Sequence, residues 1–431
     1  MKYLRTIAFG ATAAAVASVA VGAPPQSQTG PVAVYWVSAS TSTGMGGMMG
    51  GGGQRPSMSQ MMNGGFNPNA ASHTLTLQLG SERHPQGDPT AEHDPPPGLL
   101  AGPVLPLVTP RAQPVHEEVA PGPPPQYQQP KGRILIFWGC GEHAGPGQPY
   151  VIDFANMGAG GGQAGQQYAG LMRSLAINPM QPPSPGRNTT YGEWPNQQST
   201  TSVPSGGSLV GDHTVRGDYT PDIHFSLGQG QDFMPAFQMT TNAKNPSGSA
   251  TLGWQPMAEA RGFFATMFGA AGGRGGRDQG GGSASIVMWT SSEIQSLAFG
   301  MPEYLSDSEI SRLVANHVLM PASQTRCTIP AEAVQAAGQA AFFSMTAYGG
   351  EVNFAYPERP PAPRPWHVDW AVKVRYRSAT SGLVGMNMGQ MMGGNDEQAP
   401  NQQQPQQPPQ QQQRPHSGLG TLMQGLGGFI P

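Results

Sequence analysis

Period-two alternation is the dominant signal in this chain, and it is clearest over residues 366–377. There Trp366, Val368, Trp370, Val372, Val374 and Tyr376 alternate with His367, Asp369, Ala371, Lys373, Arg375 and Arg377. Alternation this regular predicts a strand with one face on a core and one in water, as in an antiparallel sheet; the basic row then reads as a solvated face. Two shorter runs, 31–38 (PVAVYWVS) and 73–79 (HTLTLQL), read as a strand pair. The Gly/Met-rich segment between them, about 42–70, is a long insert at a hairpin tip or a disordered one. Continuous apolar runs at 133–138 (RILIFW) and 285–290 (SIVMWT), with a shorter one at 150–154 (YVIDF), suit strands. Runs at 342–347 and 352–356 flank Gly349-Gly350, which reads as the primed turn of a hairpin.

Helical signals are few. Ser306-Asp307-Ser308-Glu309 has the form of a capping box, with Leu305 and Ile310 placed as a hydrophobic staple. Ile310, Leu313, Val314 and His317 would share one face before Pro321 stops the helix, which makes His317 a partly buried helix residue and not a ligand. A second short helix is expected over 330–337, ended by Gly338. The predicted fold class is therefore all-β, sandwich-like and antiparallel, with one or two short helices and extensive disordered loops and tail.

Residues 250–254 (ATLGW) and 262–268 (GFFATMF) resemble paired strands of fibronectin type III and immunoglobulin-like sandwiches. The likeness rests on Trp254, Pro256, Ala260 and Gly262-Phe263 and covers about residues 249–290. It implies a strand ending on a core Trp, a Pro turn, and a second strand that pairs back.

Composition sets the organisation. Gly (61) and Pro (45) make up about a quarter of the 431 residues, the range in which low-complexity segments are expected. Residues 1–23 read as a signal peptide: Lys2 and Arg5, an apolar Ala/Val stretch, then small residues, with a cut after Ala20 preferred because Pro24 would hinder one at Ala23. A strand pair over 24–84 follows, then a Pro-rich linker over 85–130 and a β-rich irregular region over 131–232. A sandwich-like domain over 233–380 precedes a disordered Met/Gly and Gln/Pro tail over 381–431. No segment of the mature chain has an apolar run long enough to span a bilayer as a helix. The formal charge of −3 supplies no basic field for nucleic acid.

The chemistry that can be read is sparse. The glycines at 158–165 lack the Gly-Lys-Ser/Thr ending of a phosphate loop, no G-x-S-x-G elbow occurs, and His116-Glu117-Glu118 lacks the second His of a zincin helix. Arg216-Gly217-Asp218 reads as a turn. The two cysteines, Cys140 and Cys327, are expected to pair in an oxidising compartment. Were Cys140 free, it and His143 could form a metal-ligand or nucleophile pair.

One repeat stands out. Met-x-x-Met-Met occurs as Met45/Met48/Met49, Met58/Met61/Met62 and Met388/Met391/Met392. Thioethers are soft donors that need no deprotonation, so these clusters could wrap Cu(I) or Ag(I), as the Met-rich segments of periplasmic copper-handling proteins do. The same composition reads equally as an adaptable contact surface without an ion. Each Met segment follows an outgoing strand, which would bring the two to one end of the fold. The function the sequence supports is that of an exported, non-enzymatic structural or binding protein with an envelope partner of unknown identity and no required cofactor. The alternatives are a periplasmic Cu(I)-binding protein and an enzyme built on Cys140 and His143.

Overall fold

β-branched and aromatic residues fill the long strands, and their alternate side chains build one large sheet. The computed structural model describes residues 28–45, 70–110, 132–153, 177–199, 201–271, 284–295, 301–338, 340–361 and 364–386. The main sheet runs, in spatial order, β7 (Tyr150–Asp153), β6 (Gly132–Trp138), β14 (Ala284–Thr290), β13 (Gly262–Ala271), β17 (Phe342–Tyr356), β19 (Trp370–Leu383), β2 (Ala33–Thr43), β3 (Ser72–Ser81) and β8 (Thr190–Trp194). The short β15 (Met320–Pro321) also pairs with β13. The fold is all-β, with two helices among the described residues, α1 (Asp307–Ala315) and α2 (Ala331–Ala337).

Most pairings are antiparallel, but β6 with β14 and β19 with β2 run parallel. The expected pairing of β2 and β3 is present, with Ser42 opposite Ser72 and residues 46–69 between them outside the described residues.

Two smaller sheets lie against one face. β5 (Leu105–Pro106), β4 (Ala91–Asp94), β9 (Gly211–Gly217) and β10 (Ile223–Leu227) form the first; β11 (Met239–Lys244), β12 (Ala250–Trp254) and β16 (Arg326–Ile329) form the second. A single apolar cluster joins all three sheets and α2, including Tyr35, Leu77, Val215, Trp254, Met267, Val334 and Val374. On the opposite face α1 contributes Ile310 and Leu313 to a second cluster with Leu305, Phe264 and Tyr348. The hydroxyl of Ser306 accepts from the Glu309 amide at 3.3 Å, as in a capping box. The Glu309 carboxylate instead accepts from Asn178 N (3.0 Å) and Arg312 Nε (2.9 Å).

Several sequence expectations need correction. The Pro-rich stretch is not a linker where it is described: Leu99, Leu105 and Leu107 lie in the core, and the proline rings merely restrict where the backbone can pair. The boundary at 232 marks no break, because the main sheet mixes strands from residues 33–81, 132–194 and 262–383. Gly349-Gly350 is no hairpin turn. β17 continues through it, with Tyr348 opposite Arg377 and Glu351 opposite Arg375, so one extra residue is bulged out. Glycine is needed there because a Cβ on Gly349 would sit 2.6 Å from the Met234 sulfur and one on Gly350 2.7 Å from Arg261 Nε. β12 and β13 belong to different sheets and do not pair, although Trp254 is in the core and its ring meets Phe263 at 5.3 Å. His317 lies beyond α1 with φ of 58° and forms an exposed ion pair with Glu293.

The basic row of β19 is not a bare solvated face either. Arg375 lies between two rings, its guanidinium carbon 4.8 Å from the centroid of Trp36 and 4.4 Å from that of Tyr304. Its Nε donates to Ser38 Oγ at 2.7 Å, while Lys373 pairs with Glu351 at 2.7 Å.

Candidate functional site

The two cysteines form the disulfide Cys140–Cys327, which ties the loop after β6 to β16 of the three-stranded sheet. Short contacts surround it. Gly141 N donates to Thr328 O (2.8 Å), and Ala331 N donates to Glu142 O (2.9 Å). His143 faces the exposed Glu332 at 3.1 Å. With its sulfur bonded, Cys140 offers no thiolate, so the nucleophile or ligand pair with His143 does not form. In the former Arg-Gly-Asp turn, Arg216 pairs with Asp94 at 2.5 Å and Asp218 accepts from Thr90 N at 3.0 Å.

Of the predicted sulfur ligands, Met45 alone is described; Met48, Met49, Met58, Met61, Met62, Met388, Met391 and Met392 lie outside the described residues. The backbone nevertheless fixes where both Met segments leave the fold. β2 and β19 run parallel in register, with Thr43 beside Thr380, and a further bridge joins Gly44 to Ser381. β3 enters at the same end, since Ser72 opposes Ser42. The attachment points of all three repeats therefore share one end of the sheet.

At the opposite end of β2 and β19 lies an open hollow of about 1100 Å³. Its aromatic lining comes from four strands: Trp36 of β2, Phe354 and Tyr356 of β17, Trp366 of β18 (Trp366–His367), and Trp370 of β19. Tyr356 and Trp370 are directly paired across the ladder, and their rings stack at 5.8 Å with 17° between planes. Tyr356 is 55% exposed, whereas Trp370 is 7% exposed, so the stack presents a flat, fixed ring to solvent. Asp222, His224, Glu358, Arg359 and Lys373 supply polar groups of both signs. Sequence reasoning placed Trp366 and Trp370 on a core face. It missed the hollow because the rings come from strands some 330 residues apart.

Beneath the main sheet is a buried proton-ordered chain. His213 Nε2 donates to the Leu209 carbonyl at 2.7 Å, which leaves His213 Nδ1 to accept from His93 Nε2 at 3.0 Å. His93 Nδ1 must then accept the Tyr35 hydroxyl at 2.5 Å. Every nitrogen is used once, and both rings are neutral. Burial lowers the pKa of His93, with His213 adding to the effect. Burial also lowers that of His213, opposed by the Leu209 carbonyl and Asp212. His93 lies in the stretch read as linker, where no sequence signal marks a core histidine.

Among the described residues, no group of three or more His, Cys, Asp or Glu could hold a metal ion, and no helix is long and apolar enough to cross a membrane. The class the fold defines is an all-β, sandwich-like protein with one internal disulfide and an aromatic surface hollow. Comparison of the chain with family models, with curated proteins and with solved structures finds no match.

Proposed function

We propose that this is an exported, non-enzymatic binding protein of the cell envelope that takes its partner in the aromatic hollow. One observation carries the reading: five aromatic side chains, drawn from both faces of the sheet, line a hollow of about 1100 Å³, with a stacked and exposed Tyr356 at its surface. Preformed aromatic surface with a few polar groups is the general character of binding sites. The signal-like N-terminus and the disulfide support export, since disulfides persist in oxidising compartments. Trp36, Trp366 and Trp370 report on the hollow directly. Titration with peptide, glycan and lipid fractions of an envelope extract is expected to shift their fluorescence. Tyr356→Ala is expected to weaken that response about tenfold, the value of a lost stacking surface. No response from any fraction, or an equal response in the variant, ends this reading.

A second reading is favoured by the register of β2 and β19, which anchors both Met segments at one end of the sheet. It makes the protein a Cu(I) or Ag(I) binder through the thioethers of Met45, Met48, Met49, Met58, Met61, Met62, Met388, Met391 and Met392. Competition titration with a Cu(I) chelator is expected to show binding that falls at least about tenfold when these residues become Leu. Leu keeps the apolar bulk, so unchanged affinity would remove sulfur coordination from consideration.

A further inference from the structure

β17 is paired on both sides for only half its length. β13 covers it from Phe342 to Tyr348, and β19 covers it to Tyr356. Beyond the glycine bulge, no strand among the described residues takes the second side. The alternation of the backbone shows which groups face that open side. Asp369 N donates to Tyr356 O at 2.7 Å, so Tyr356 points its carbonyl toward the β19 side. Alternate residues along a strand direct their N–H and C=O to opposite sides. Asn353 and Ala355 therefore present theirs to the open edge.

The hollow reaches this edge strand. It is lined by four consecutive residues, Asn353 to Tyr356. Successive side chains point to opposite faces, so a groove lying on one face would meet only every second residue. The lining therefore draws on both faces of the sheet. On one face lie Phe354, Tyr356 and Trp370; on the other lie Ala355, Ala371 and Trp36. That is the space an added strand needs for side chains alternating between the two faces.

We propose that Glu351–Tyr356 receives an extended peptide segment of another protein as an added strand, its alternate apolar side chains seated against Phe354, Tyr356 and Trp370. The proposal rests on the hollow being the binding site, and it names the chemistry of the occupant. A peptide main chain pairs the edge groups of Asn353 and Ala355, which a glycan would leave without a ladder. The lining also extends to Asp222 and His224 of β10 and to Glu358 and Arg359 beyond β17. The edge strand thus borders the hollow, within reach of these side chains.

The test uses the full chain and a pool of eight-residue peptides with Val, Ile, Phe or Tyr at alternate positions and Thr or Ser between. Binding is read by tryptophan fluorescence. Ala355→Pro deletes one edge-facing N–H and is expected to weaken binding at least about tenfold. N-methylation of the peptide, scanned along its length, is expected to abolish binding at every second residue and spare the others. That readout needs no variant and stands even if Ala355→Pro fails to fold. Uniform tolerance of N-methylation overturns the proposal, as does peptide binding unchanged in a folded Ala355→Pro protein. Binding of neutral β-linked oligosaccharides but not peptides, lost in Tyr356→Ala, overturns strand addition and leaves the hollow as the site. Self-association lost in Ala355→Pro overturns it in favour of a second copy. If none of these probes responds, the proposal falls, and the fluorescence assay with envelope fractions decides separately whether the hollow binds anything.

Discussion

Replacing both Cys140 and Cys327 with Ser is expected to cost about 5 kcal/mol of unfolding free energy. The bond closes a loop with a sequence separation of 187 residues, so its absence returns a large conformational freedom to the unfolded chain. Domain stabilities are typically about 5–15 kcal/mol, so the loss is a substantial fraction of the total. The folded state has little to set against it. Gly141 to Thr328 and Ala331 to Glu142 are single hydrogen bonds, each worth about 1 kcal/mol net. Urea unfolding of the oxidised protein and of the double variant, both under non-reducing conditions, measures the difference. A shift below about 1 kcal/mol would show that the unfolded chain is already constrained, and the loop-closure account would fail.

The second large effect is acid lability. His93 and His213 are held neutral in the folded protein because burial depresses the pKa of both rings. In the unfolded chain they titrate near the ordinary value of 6.5. Above that value neither state binds the protons, and the stability of the neutral pair is fully present. As pH falls below it, the unfolded chain takes up protons that the folded chain excludes, until the depressed folded pKa values are reached. Linkage then removes about 1.4 kcal/mol per pH unit for each ring. Stability is therefore expected to fall between pH 7 and pH 5, with the loss setting in as pH drops through the ordinary histidine value. Denaturant unfolding at pH 5, 6 and 7 measures the slope. The triple variant Tyr35→Phe, His93→Leu, His213→Leu removes the whole chain of hydrogen bonds and is expected to flatten the profile. An equally steep profile in that variant would remove His93 and His213 as its source; Glu309, whose pKa is held down chiefly by its hydrogen bond from Arg312, loses its contribution only below about pH 4.5.

What could be read from the sequence follows the range of each signal. The β19 alternation, the β2 and β3 pair, the Ser306 cap and the cysteine pair are written in residues close together or in a count of two. Gly349-Gly350 was ambiguous because glycine serves a tight turn and a crowded bulge equally well. Only the shared partner β19 distinguishes them, and that pairing is invisible locally. The prolines of 85–130 suggested a linker, yet Leu99, Leu105 and Leu107 are buried, and the edge strand Leu105–Pro106 accommodates its proline. The likeness at 249–290 located a core Trp254 but not its neighbours, since the pairing of β12 with β16 joins residues some 75 apart. Trp36 and Trp370 were each visible as strand residues; that both line one hollow depends on a parallel contact between β2 and β19 that no spacing rule announces.

That parallel contact between β2 and β19 also dictates when the protein can be assembled. The last described strand is inserted at the centre of the sheet, between the first long strand and β17, and not added at a border. Until it emerges, the nascent chain holds two half-sheets with no common ladder. A premature stop before Trp370 would leave the main sheet as two half-sheets instead of trimming a border strand. A polypeptide built this way stays unfinished until nearly all of it has been made.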